Sequence, residues 1–215
     1  MGTAVIIPAH NEQKHIARVV KKSLNYADEV IVVNDGSQDK TEKQALDAGA
    51  TVLTHCTNLG KGAAVKTGCD YAYKKFTVLV LMDADEQHRP EDIPRFLEEL
   101  QTHDIVFGER EKMGKAPLAM KLGNWFFTTM NDLLFSMPIQ DTQSGFRAFK
   151  STVYPQIRWE SCGYTMESEM IFRARGLKYT EITIPRIYHD HAKGTTVLHG
   201  IPIFLSMLRW RLFGG

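Results

Sequence analysis

The chain has 215 residues, 43% hydrophobic and 24% charged, which is enough for one sizeable core. Its 26 Lys+Arg nearly cancel 25 Asp+Glu, and a formal net charge of +1 supplies no field for a nucleic-acid backbone, so no nucleic-acid partner is expected. Cys56, Cys69 and Cys162 are odd in number, widely spaced and without a C-x-x-C pair, which argues against a disulfide framework or zinc cluster and for a reducing, cytoplasmic compartment.

Met1 to Val5 lack the basic start and long apolar stretch of a secretion signal, so no leader is expected. Ala4 to Ile7 is a buried-strand run, and the helix expected from Asn11 carries Ile16, Val19, Val20 and Leu24 on one face. Glu29 to Val33 reads as a second strand, Lys40 to Ala48 as a helix closed by Gly49, and Ala50 to Leu53 as a third strand. Lys61 to Lys75 has a helical pattern, and Thr77 to Met82 is the most strand-like run in the chain. Pro90 opens a helix with Ile93, Phe96, Leu97 and Leu100 turned inward, ahead of a fifth strand at Asp104 to Phe107. This alternation predicts an α/β fold with a mainly parallel central sheet and helices on both faces.

After residue 110 the alternation gives way to a helix over 118–137, an irregular stretch, a helix from Met166 to Arg175 ended by Gly176, and a strand from Lys178 to Ile184. The 118–137 helix carries a main apolar stripe and a second apolar face with Met120 and Phe127. After Asp190 the chain has no acidic residue, and Lys193, Arg209 and Arg211 lie among Phe204, Leu205, Leu208, Trp210 and Leu212. That mixture suits either packing on the protein or the headgroup boundary of a membrane, with Trp210 as an anchor. A spanning helix needs about 20 apolar residues, and charges interrupt each apolar segment. The expectation is a cytoplasmic protein suited to peripheral contact with the cytoplasmic membrane face.

The richest chemistry follows the strongest strand, in Asp83-Ala84-Asp85-Glu86-Gln87-His88. In an open parallel sheet the ligand crevice lies at the carboxyl ends of the strands, and two carboxylates one residue apart there can turn to a single hard cation. Mg²⁺ or Mn²⁺ held this way usually completes its shell with water and phosphates, which points to a nucleotide diphosphate. Acidic residues that merely cap the next helix would give the same letters. Pro8-Ala9-His10-Asn11-Glu12 and Asn34-Asp35-Gly36 through Thr41 emerge into the same crevice, where Asp35 suits a base or ribose contact. Asn58-Leu59-Gly60-Lys61-Gly62 opens the following helix, where backbone N–H groups and Lys61 could face phosphates or a base. The spacing excludes a Walker loop, and no G-x-G-x-x-G follows the first strand.

Taken together, these four segments resemble the family 2 inverting glycosyltransferases of the GT-A fold, most closely the dolichyl- and polyprenyl-phosphate mannose or glucose synthases. The likeness extends to Asp141-Thr142-Gln143-Ser144-Gly145-Phe146-Arg147 and to Glu167-Ser168-Glu169. It implies one GT-A-like domain over 1–215, with a nucleotide-binding half in 1–110 and an acceptor-binding half in 111–215. It also implies a metal-dependent hexosyltransferase using a GDP-mannose or UDP-glucose type of donor. Pro8, Ala9, His10, Glu12 and Asp35 would surround the nucleoside; Asp83, Ala84 and Asp85 would meet ribose, diphosphate and metal. Gln87 would complete the metal set, Arg110 would approach a phosphate, and Lys193 would close over the donor. Asn34 replaces a common aspartate, Arg89 stands where proline is frequent, and no Q-x-x-R-W motif is present, which argues against polymer synthesis.

The acceptor is left open between two chemistries. A sugar hydroxyl requires a carboxylate base, for which Asp141 or Glu169 is the candidate. A polyprenyl phosphate is already anionic and requires cations instead, for which Arg110, Arg147 and Lys193 are available. Outside catalysis, the rival is a nucleotide-sugar-binding protein without turnover, against which the intact Asp83, Asp85 and Gln87 speak.

Overall fold

A computed structural model of the protein describes residues 2–111, 128–163, 165–187 and 197–213. The strands are β1 (Thr3–Ala9), β2 (Glu29–Asp35), β3 (Thr51–His55), β4 (Val78–Leu81), β5 (Ile105–Arg110), β6 (Arg147–Lys150) and β7 (Tyr179–Ile184). They form one sheet in the order β3-β2-β1-β4-β6-β5-β7. Pairing is parallel except for β6, which runs antiparallel to both β4 and β5. The sheet is therefore mainly parallel, as the alternation predicts. β6, in the stretch read as irregular, is the strand the sequence concealed: it is four residues long and has Arg147 and Lys150 at its ends.

The β-branched runs become strands because both faces of the sheet are covered. Val5, Ile7, Val30 and Val32 pack on one face under α1 (Ile16–Ser23), α2 (Thr41–Asp47) and α4 (Ile93–Glu99). Ile6, Ile31, Leu79 and Phe149 pack on the other under α3 (Lys61–Ala72), α6 (Tyr154–Ile157) and α7 (Met166–Arg173). Gly68 lets α3 lie directly on β1, since a Cβ there would sit 2.5 Å from Ile6 Cγ2. That close approach brings the α3 N-terminus, and Lys61 with it, to the carboxyl ends of the strands.

The expected helix over 118–137 is described at 128–135 (α5), and its residues 118–127, with Met120 and Phe127, lie outside the described residues. The final helix, α8 (Val197–Phe213), packs Ile203, Met207 and Trp210 against Phe135 and Phe172. Trp210 is stacked on Phe172 at 5.8 Å and buried, so of the two alternatives left open for it the core side chain is the one observed. Leu205, Arg209 and Leu212 face outward on the same helix. No helix of the described residues is long and apolar enough to cross a membrane.

Candidate active site

β1, β2 and β4 end along one edge, with Ala9 level with Asn34 and Ile6 level with Leu81. Segments 8–12, 34–41 and 82–88 thus leave the sheet side by side, where the connections part to opposite faces and an open α/β sheet holds its ligand. Two non-glycine residues in these turns have positive φ, Asn11 at 56° and Glu86 at 62°. Asn11 is held by Ser37 Oγ (3.0 Å) and by the Gln38 N–H (2.9 Å), and Glu86 by Arg18 (2.8 Å) and His15 (2.9 Å). Such conformations persist where surrounding bonds over-determine them, so both turns are locked before any ligand arrives.

Behind the turns lie bonds that fix their polar groups. His10 Nδ1 donates to the Asp35 carbonyl at 2.8 Å, which leaves Nε2 to accept from Asn11 Nδ2 at 3.1 Å. The backbone N–H of Glu12 donates to Thr41 Oγ1 at 2.8 Å. Asp35 accepts from His55 Nδ1 and from the N–H groups of Leu59 and Gly60, each at 2.8 Å. Pro8 and Ala9 close β1, and Ala84 is buried between the two aspartates.

At the centre Lys61 Nζ bridges Asp83 Oδ1 (2.8 Å) and Glu167 Oε1 (3.0 Å). Burial disfavours the Lys61 cation, but the two carboxylates outweigh it and raise its pKa. Burial likewise pushes Asp83 up, while Lys61, backed by Arg110, holds it well below the usual carboxylate range. Gly145, of the segment after α5, sits against this pair: a Cβ there would lie 2.8 Å from both Asp83 Oδ2 and Lys61 Nζ. His88 Nδ1 accepts the Asp83 N–H at 3.2 Å, and burial lowers its pKa, so the ring is neutral with its proton on Nε2. The same ring stacks on Phe146 at 5.1 Å, joining the aspartate turn to the 141–147 segment.

Asp85 differs from its neighbours. Among the described residues no ion pair reaches it, and its Oδ1 accepts only the Gln87 N–H at 3.1 Å. Burial and the charge of Asp83, with Glu12 adding to them, raise its pKa against the opposing Gln87 N–H and His88. A desolvated carboxylate facing like charge is what a divalent cation would neutralise, and two carboxylates with an amide oxygen from Gln87 form an all-oxygen set that fits Mg²⁺ or Mn²⁺. Among the described residues no cluster of three or more His, Cys, Asp or Glu side chains could hold a metal. The protein would thus supply few ligands, as in sites where substrate phosphates complete the shell.

Most of the remaining expected residues are already engaged with other groups of the protein. Arg110 Nε and Nη2 form a two-pronged pair with Asp141 at 2.6 and 2.9 Å. Burial raises the Asp141 carboxyl, but Arg110 overrides it and holds the pKa below the ordinary value. Glu169 accepts from the N–H groups of Glu160 and Ser161, from Ser161 Oγ and from Arg173, which outweigh its burial and also lower its pKa. Arg147 is enclosed, and burial brings its pKa down to about 10. Its guanidinium donates to the carbonyls of Ser144, Thr142 and Glu167 at 2.8–3.0 Å, a bracing position for the 142–147 turn. Lys193 lies outside the described residues.

Two participants escaped the sequence reading. Glu167, seen only as a helix start, is the buried second partner of Lys61. His55, level with Asp35 in the β2–β3 register, pins that carboxylate. A histidine at the end of the strand beside the Asp35 strand is the one signal that pointed to it.

The profile of glycosyl transferase family 2 matches residues 4–158. The chain is 31% identical over 242 residues to the UDP-N-acetylglucosamine–dolichyl-phosphate N-acetylglucosaminyltransferase of Methanococcus voltae, covering 97% of this chain and 95% of that protein. It is 29% identical over 230 residues to the undecaprenyl-phosphate mannosyltransferase of Micrococcus luteus, covering 99% and 95%. Its fold superposes with a TM-score of 0.78 on the crystal structure of glucosyl-3-phosphoglycerate synthase from Mycobacterium tuberculosis in complex with Mn²⁺, UDP and glucosyl-3-phosphoglycerate, at 20% identity over 98% of this chain and 79% of that one. The GT-A arrangement expected from the strand-end motifs is thus the fold observed.

Proposed function

Because the chain belongs to glycosyl transferase family 2, we propose that it transfers a sugar from a nucleotide diphosphate sugar to a polyprenyl phosphate, with inversion at the anomeric carbon. Relatives named for dolichyl- or undecaprenyl-phosphate acceptors that align over nearly the whole chain support this reading. The observation that carries it is the state of the two carboxylates expected as a base for a hydroxyl acceptor. Asp141 is clasped by Arg110, and Glu169 is saturated by four partners, both with lowered pKa values. Neither is a competent base for a sugar hydroxyl, whereas a phosphate oxygen needs none.

Asp83, Asp85 and Gln87 would hold Mg²⁺ or Mn²⁺, which when bound acts as a Lewis acid on the diphosphate. The structural neighbour was crystallised with Mn²⁺ and UDP, which supports the use of a divalent cation. The turns 8–12 and 34–36 receive the nucleoside. A phosphate oxygen of the acceptor attacks the anomeric carbon from the face opposite the diphosphate. The C1–O bond to the diphosphate breaks, its electron pair leaves with the nucleoside diphosphate, and no proton moves. Arg110 lies near enough to Asp83 to affect its charge, so it can serve the phosphates while still bound to Asp141. Lys193 would add a second cation. Radiolabelled donor incubated with polyprenyl phosphate should yield label in an organic-extractable lipid; label only in water-soluble glycan would refute this acceptor.

Peripheral membrane contact is the second part of the proposal. The outward face of α8 offers Leu205 (59% exposed), Leu212 (72%) and Arg209, and α5 adds Leu133 (71%). Apolar residues flanked by arginine suit an anionic headgroup surface. The double variant Leu205→Gln/Leu212→Gln leaves the buried Ile203–Met207–Trp210 face untouched. It should reduce sedimentation with vesicles containing anionic lipid several-fold, and equal sedimentation would remove α8 from membrane contact.

A further inference from the structure

Glu86 stands between Asp85 and Gln87, two of the three residues that fit a divalent cation. Its φ of 62° is a left-handed conformation that is unfavourable for any residue with a Cβ. The turn around it is tight, because the Gln87 N–H donates back to Asp85 Oδ1 at 3.1 Å across Glu86. The directions in which Asp85 and Gln87 leave the turn therefore depend on Glu86 keeping that backbone angle. A glycine would adopt it freely, whereas a glutamate must be held there by its surroundings.

The hold comes from α1. Arg18 grips the Glu86 carboxylate with two prongs, Nε on Oε1 and Nη2 on Oε2, both at 2.8 Å, and His15 Nδ1 meets Oε2 at 2.9 Å. Burial pushes the Glu86 carboxyl up, but His15 and Arg18 outweigh it and lower its pKa, so it is ionised at neutral pH. His15 and Arg18 share one face of α1, and the helix beneath them is fixed. Ile16, Val19 and Val20 are buried, and the Glu12 carbonyl accepts the N–H groups of His15 and Ile16 at 3.0 Å. One helix thus starts at the 8–12 turn and reaches across to the 83–88 turn. We infer that Arg18, with His15, is a positioning residue: through Glu86 it sets the geometry in which Asp85 and Gln87 meet the cation. The inference rests on the reading of 83–88 as the metal turn.

The test turns on a sign. Arg18 is a positive charge near the metal turn, so its field alone opposes a cation, and by that effect Arg18→Gln would tighten Mn²⁺ binding. Loss of a latch does the reverse. Mn²⁺ affinity, titrated by calorimetry in the presence of UDP or GDP, should weaken about tenfold in Arg18→Gln, the scale on which groups that orient metal ligands act. The variant should fold, because the Arg18 side chain is 63% exposed and a surface pair contributes little to stability. In the metal-free variant, hydrogen exchange of the Gln87 N–H, followed by nuclear magnetic resonance, should quicken several-fold, a readout independent of any cation. Glu86→Gly needs no latch to hold a positive φ, so adding Arg18→Gln to Glu86→Gly should leave Mn²⁺ affinity unchanged. Unchanged exchange at Gln87, or Mn²⁺ binding that is unchanged or tighter in Arg18→Gln, overturns the inference, as does an equal loss in both backgrounds. Wild-type protein that takes up no Mn²⁺ with either nucleotide overturns the metal reading itself, and the inference with it.

Discussion

Alanine in place of Asp85 is expected to lower sugar transfer by at least about a hundredfold, with little change in thermal stability. The asymmetry has a physical origin. Asp85 has no ion-pair partner among the described residues and holds one backbone N–H, so its removal leaves no buried cation unpaired. Its raised pKa records the burial of its charge and, after that, repulsion from Asp83, both of which the alanine would relieve. The carboxylate thus costs the fold something and is explained by what it binds. Titrating Mn²⁺ in the presence of nucleoside diphosphate, by calorimetry or by electron paramagnetic resonance, checks the cause separately from turnover. Wild-type Mn²⁺ affinity in Asp85→Ala would take this residue out of the metal set.

A second substitution should act in the opposite way. Lys61→Met is expected to destabilise the protein by about 3–5 kcal/mol, because it strands the carboxylates of Glu167 and Asp83 without their cation. The Glu167 side chain is 3% exposed, and its Oε2 already lacks a hydrogen-bond partner. Urea denaturation measures the loss. Adding Glu167→Gln to Lys61→Met should restore part of the stability, since one of the two stranded charges, the more buried one, is then gone, but should not restore transfer. A Lys61→Met protein as stable as the parent would show that the bridge is not closed in solution. Recovery of transfer in the double variant would exclude Lys61 from the donor site.

Together the two experiments separate the aspartates that the motif makes look equivalent. Asp83 is compensated by Lys61; Asp85 is left without an ion-pair partner among the described residues. The same accounting applies to the other expected residues. Asp141, Glu169 and Arg147 were expected near the acceptor as base or cation, and each has its charge spent on the protein. Arg110 keeps partial exposure and so remains the described cation able to meet a phosphate while holding Asp141.

The sequence by itself determined the βα alternation, the mainly parallel sheet and the gathering of motifs at one edge. Those properties follow from local causes: β-branched runs that favour strands, apolar spacing that favours helices, and the rule that parallel strands bring their carboxyl ends together. It did not reveal β6, because four residues with a cation at each end resemble a loop until both neighbouring strands are in place to pair with them. It left Trp210 undecided, because an amphipathic helix reads the same whether its aromatic side chain meets lipid or Phe172. Above all, only the tertiary structure decided which charged groups are free to act. A hydrogen-bond or ion-pair partner is a matter of distance in space. Lys61 with Glu167, Asp35 with His55 and Arg110 with Asp141 are each joined across separate elements that local pattern cannot bring together.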